Sequence, residues 1–159
     1  VMQDSLLFNL TIRDNLRLAK DDASIEELEN ACEKAELLDF IRGLKDGFET
    51  VIGERGIRLS GGQKQRFAIA RVLLQKPDVI IFDEATSSLD HETEKNLKQN
   101  LEDFLRGKTT ITIAHRFSTI TTADKVIVLG DGRICAIGTH SQLQDTCDEY
   151  RRLFQRQWA

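Results

Sequence analysis

A polypeptide of 159 residues has room for about one domain, and its 22 basic and 26 acidic side chains leave a net charge of −4. That balance gives no bulk attraction to a polyanion, so no nucleic-acid partner is expected. With 40% hydrophobic and 30% charged residues the chain is neither disordered nor of low complexity. Its apolar runs, such as Val79–Phe82 and Val126–Leu129, fall far short of the roughly 20 residues that cross a bilayer, so any membrane association is expected to run through a partner.

Cys32, Cys135 and Cys147 are scattered and form no CxxC pair, which suits a reducing compartment better than a disulfide framework. The opening Val1-Met2-Gln3-Asp4 has neither the basic nor the apolar region of a signal peptide. It reads as the end of a buried strand.

From about 11 to 75 the pattern is helical and charge-rich. Ser24-Ile25-Glu26-Glu27 has the spacing of a capping box. Ile25, Leu28, Cys32 and Ala35 then fall on one helical face. Leu37–Ile41 predicts a short second helix, ended at Gly43 or Gly47. Leu59-Ser60-Gly61-Gly62-Gln63 precedes an apolar-periodic stretch to Leu74, with Ser60 placed as N-cap. The two glycines permit close approach of a ligand to the backbone, and the positive end of the following helix suits phosphate. A loop that merely starts a helix has the same local sequence.

From about 76 to 159 strands alternate with helices. Val79–Phe82 predicts a central parallel strand covered on both faces, delivering Asp83 and Glu84 to its carboxyl end. Two adjacent acids there suit magnesium chemistry, one holding the cation and the other activating a nucleophile. His91–Leu105 is helical, with Leu97, Leu101, Phe104 and Leu105 as its buried stripe. Thr109–Ala114 is the next strand and leads to His115. Val126–Leu129 and Arg133–Ile137 flank the turn Gly130-Asp131-Gly132, and Ser141–Trp158 is helical. Lys64, Arg66 and Arg71 read as a solvated helix face.

The ordered set Gln3, Leu59–Gln63, Val79–Glu84, Ser88-Leu89-Asp90 and His115 resembles the ATPase domain of ATP-binding-cassette (ABC) transporters over the whole chain. Gln3 resembles the Q-loop glutamine, Leu59–Gln63 the signature motif, Val79–Asp83 the Walker B strand, Ser88–Asp90 the D-loop and His115 the switch histidine. Glu49–Gly56 is similar to the X-loop of exporters. Met2 replaces the usual proline and Phe117 a common leucine.

The resemblance implies an α/β P-loop NTPase-like core plus an α-helical subdomain, with a parallel sheet and flanking helices. It implies ATP and Mg2+ as ligands, a second ABC ATPase domain facing head to tail, the transmembrane domain of an exporter, and a place at the cytoplasmic face of a membrane. Ser60, Gly61, Gly62 and Gln63 would bind nucleotide held by the partner domain. Asp83 and Gln3 would attend the metal; Glu84, His115 and Gln3 would be catalytic; Asp90 would shape the dimer contact. Phe8, Leu10 and Ile12 are candidates for the groove that receives a transmembrane helix, or for plain packing.

No Gly-x-x-x-x-Gly-Lys-Ser/Thr occurs in these 159 residues. The resemblance therefore implies a phosphate loop upstream of Val1, and these residues alone are expected not to hydrolyse ATP. A chromosome-maintenance ATPase lobe would need a long heptad repeat before the signature, and none is present. A non-catalytic half would have no need of Glu84 and His115.

Overall fold

The computed structural model describes the backbone of residues 1, 6–83, 88–113 and 117–158. The chain divides into two units, Val1–Ile113 and Ala114–Ala159.

In the first unit, three short helices precede a long one: α1 (Ile12–Arg17), α2 (Ile25–Lys34), α3 (Leu38–Arg42) and α4 (Gly61–Gln75). Ser24 caps α2 with a complete capping box, its hydroxyl accepting from Glu27 N–H while the Glu27 carboxylate accepts from Ser24 N–H. Helix α3 stops at Gly43 as expected. Leu28, Ala31, Cys32 and Ala35 are buried, whereas Ile25 is 49% exposed. As the first residue of α2, Ile25 precedes the turn that reaches the core, so its place in the predicted stripe is corrected. Helix α2 packs along α4, and the core gathers Ile12, Leu16, Leu28, Leu37, Ile41, Ile52, Phe67 and Ile69, all essentially inaccessible.

Strand β1 (Val79–Asp83), helix α5 (His91–Leu105) and strand β2 (Thr109–Ile113) complete this unit. The strands pair in parallel register, with Ile81 opposite Ile111 and Asp83 opposite Ile113. Val1 adds to the other edge of β1: its N–H donates to the Ile81 carbonyl (2.6 Å) and its carbonyl accepts from Asp83 N–H (2.9 Å). Val1 forms no strand of its own, so the expected buried strand end is not seen among the described residues; it only touches the edge of β1 through these two backbone hydrogen bonds. Among the described residues, however, β1 is not covered on both faces. Ile80 is buried, but Val79 and Ile81 are half exposed, as are Ile111 and Ile113 on the same face. In α5, Leu97 and Leu101 are buried, with Phe104 and Leu105 partly buried against the core as predicted.

The second unit holds α6 (Phe117–Thr121), which periodicity did not reveal, then the hairpin β3 (Val126–Gly130) and β4 (Arg133–Gly138). Its turn has positive φ at Asp131 (49°) and Gly132 (72°), the combination that matches strand twist in a two-residue hairpin. The expected single tail helix is two, α7 (His140–Thr146) and α8 (Asp148–Trp158), because Cys147 between them is extended. Val128, Leu143 and Tyr150 form this unit's small core.

Candidate functional site

The Ser60-Gly61-Gly62-Gln63 turn opens α4, a 15-residue helix, as the sequence requires. Ser60 Oγ accepts from Gln63 N–H (3.2 Å), and Gln63 Oε1 accepts from Ser60 N–H (2.8 Å). The Gln63 side chain thus serves as the reciprocal half of a capping box. Lys64 N–H bonds the Ser60 carbonyl (3.0 Å), which leaves the N–H groups of Gly61 and Gly62 as those the helix ladder itself cannot satisfy. Ser60 and Gly61 are exposed. An anion approaching this end meets backbone donors and the positive pole of four turns of aligned peptide dipoles.

The glycines also serve the chain itself. A Cβ on Gly61 would lie 3.3 Å from Ser88 Oγ. On Gly62 it would lie 3.1 Å from the Ser88 carbonyl and 3.2 Å from Leu89 Cδ2. Ser88 and Leu89 therefore take up part of the clearance that the glycines were expected to offer a ligand. Beside them Gln65, only 2% exposed, accepts Ser88 N–H on Oε1 (3.1 Å). Asp90 caps α5: its carboxylate accepts Thr93 N–H (2.9 Å) and the Thr93 hydroxyl (2.7 Å). The backbone N–H of Thr93, then its hydroxyl, holds the Asp90 carboxyl below the usual range. Asp90 is solvent-facing.

Asp83 ends β1 half-buried, at the edge where the parallel register also brings the carboxyl end of β2. Glu84, the next residue, His115, two beyond the end of β2, and Gln3 lie outside the described residues. Among the described residues no three His, Cys, Asp or Glu side chains converge as a metal cage. A single hard carboxylate such as Asp83 fits magnesium, which keeps several waters and takes its remaining ligands from phosphate oxygens.

Two polar residues of the core escaped the sequence reading, and a third was placed on the wrong face. Gln65 lies on the stripe of Ile69 and Leu73, and Asn15 on that of Ile12 and Leu16; a polar residue within a buried stripe was the available signal. Asn15 Nδ2 donates to the carbonyls of Phe8 (3.0 Å), Leu10 (3.3 Å) and Thr11 (3.0 Å), and its Oδ1 accepts Phe8 N–H (3.0 Å) and Arg71 Nη2 (3.0 Å). Arg71 is the third: it also donates to the carbonyls of Asn15 (2.8 Å) and Leu6 (2.5 Å) and stacks over Phe67. Burial lowers its pKa. Arg66 donates to the Glu36 carbonyl. The solvated face assigned to Arg66 and Arg71 is thereby corrected: both guanidiniums tie α4 to loops. Ile12 is fully buried and belongs to the core, while Phe8 (52%) and Leu10 (40%) remain at the surface.

Comparison with known proteins places these elements in context. The sequence profile described as ABC transporter matches residues 1–87. The chain is 46% identical over 159 residues to the ATP-dependent lipid A-core flippase of Chromobacterium violaceum, covering 100% of this chain and 27% of that protein. It is 48% identical over 157 residues to ABC transporter aclQ of Aspergillus oryzae, covering 99% of this chain and 20% of that one. A solved structure of a bacterial Atm1-family ABC exporter with ATP bound matches at TM-score 0.93 and 44% identity, over 99% of this chain and 28% of that chain. The chain thus spans about a quarter of the length of the relatives it matches.

Proposed function

The chain belongs to the ABC transporter family, and from that premise we propose that it supplies the signature-motif side of an ATP-hydrolysing site that powers an exporter. One observation carries this reading: Ser60, Gly61 and Gly62 form the exposed, capped amino end of a long helix, packed against Ser88 and Leu89. Such an end binds phosphate through backbone N–H groups and helix polarity. The site faces outward, so the nucleotide it meets is held by a second ABC ATPase domain, identical or related, arranged head to tail.

Within that arrangement each residue has a limited task. Ser60 and the glycine N–H groups orient and neutralise the terminal phosphate. Asp83 is the carboxylate that holds Mg2+, and that ion, when bound with ATP, offsets phosphate charge during transfer. Glu84 accepts the proton of the attacking water, His115 contacts the terminal phosphate, and Gln3 orients water and metal. Asp90 shapes the facing surface between domains. Catalysis of this kind is mostly positioning and charge stabilisation.

None of the described helices is long and apolar enough to cross a membrane. The membrane-spanning partner is the transmembrane domain of an exporter, with Phe8 and Leu10 on the strap that meets it, and the site works at the cytoplasmic face. We divide the chain into an α-helical subdomain, about 11–75, and the carboxyl-terminal part of the catalytic core, about 76–159; nucleic acid has no place in the cycle. The test is Glu84→Gln in the full-length protein. Turnover is expected to fall about a hundredfold or more while ATP binding persists. Turnover at the native rate would overturn the assignment.

A further inference from the structure

We propose that Gln65 is a positioning residue, fixing Ser88–Asp90 against the amino end of α4 and thereby setting the rate of ATP turnover without touching nucleotide. This rests on the reading of the site just given.

Gln65 stands one helical turn after Gly61, on the same face of α4. Ser88 is tethered through its N–H to Gln65 Oε1 (3.1 Å), and it lies so near Gly61 and Gly62 that a Cβ on either would crowd its side chain or carbonyl. Leu89 then anchors in the core, and Asp90 is fixed as the cap of α5. Asp83 is fixed in the β1 ladder and Ser88 by Gln65, and in the sequence Glu84 directly follows Asp83. A general base works only when held to within a fraction of an ångström of its water. Sliding of Ser88 along α4 would misplace it, and would also tilt Asp90 on the surface that faces the second domain. Glycine at 61 and 62 supplies the close approach, and the Gln65 amide supplies the register.

The contact has its own readout, amide hydrogen exchange at Ser88. In the full-length protein, Gln65→Met keeps the side-chain volume but removes the oxygen acceptor. Ser88 exchange is expected to quicken about tenfold and kcat to fall about tenfold, with the KM for ATP changed less than about twofold. Gln65→Glu keeps an oxygen toward Ser88 N–H and is expected to restore kcat to within about threefold of native. Leu73→Ala, on the same buried stripe, controls for general weakening of α4, and its kcat is expected to stay near native at a temperature where the fold persists. Unchanged Ser88 exchange in Gln65→Met overturns the proposal, as does an equal loss of kcat in Leu73→Ala. A Glu84→Gln variant with native turnover overturns the underlying reading of the site instead, while Ser88 exchange still reports on Gln65 directly.

Discussion

Asn15 shows how much one amide can hold. Fully buried, it satisfies three carbonyls, one N–H and one guanidinium, and so pins the strap from Leu6 to Thr11 to α4. Truncation strands those groups away from water. Asn15→Ala is expected to destabilise the fold by about 2–4 kcal/mol, read as a lowered urea midpoint. Asn15→Asp, which keeps an acceptor for Arg71 but no donor, is expected to recover only part of that loss. Cys32 illustrates burial acting on reactivity. Desolvation, aided by Glu29, pushes its thiol up to about 12, so almost no thiolate exists near neutrality. At pH 8 an alkylating reagent is expected to label exposed Cys135 readily and to spare Cys32 until denaturant is added. Prompt labelling of Cys32 in the native protein would contradict its burial.

At the level of elements, the ends of helices were the most legible features of the sequence. Ser24 and Ser60 each stand directly before the helix they cap, because a short polar side chain there replaces a missing backbone partner; Asp90 caps α5 in the same way, a role its place in the sequence did not reveal. The hairpin was equally plain from its Asp131-Gly132 pair, whose left-handed backbone few other dipeptides tolerate. Burial of strands was less legible. An apolar run states what a strand can be buried by, not what lies on each side, and Val79 and Ile81 are half exposed. Of the candidate site, the capped glycine turn was readable from residue types alone. The Gln65–Ser88 bond was not, since two segments far apart in the chain must first meet.

Capping also makes a pH prediction. The Lys20 ammonium, then Ser24 N–H, holds the Glu27 carboxyl below its ordinary value. A lowered folded pKa means stability present above the unfolded pKa and lost as pH falls through the folded one. The stability advantage of the native protein over Glu27→Gln is therefore expected at pH 7 and to shrink below about pH 4, as measured by urea unfolding across pH. An advantage independent of pH would show that the charge plays no part.

For the whole molecule, the decisive fact is compositional: no phosphate-cradling Gly-x-x-x-x-Gly-Lys-Ser/Thr loop exists in the 159 residues. These residues expressed by themselves are expected to release no phosphate from ATP above background, with or without Mg2+, in a coupled assay. Magnesium-dependent turnover by them would mean that nucleotide is held in some other way.

Val1 clasps only the last residues of β1, on the side away from β2. The end of β1 that carries Asp83 is therefore gripped from both flanks, by β2 and by Val1, so this carboxylate springs from a backbone with little freedom to swing.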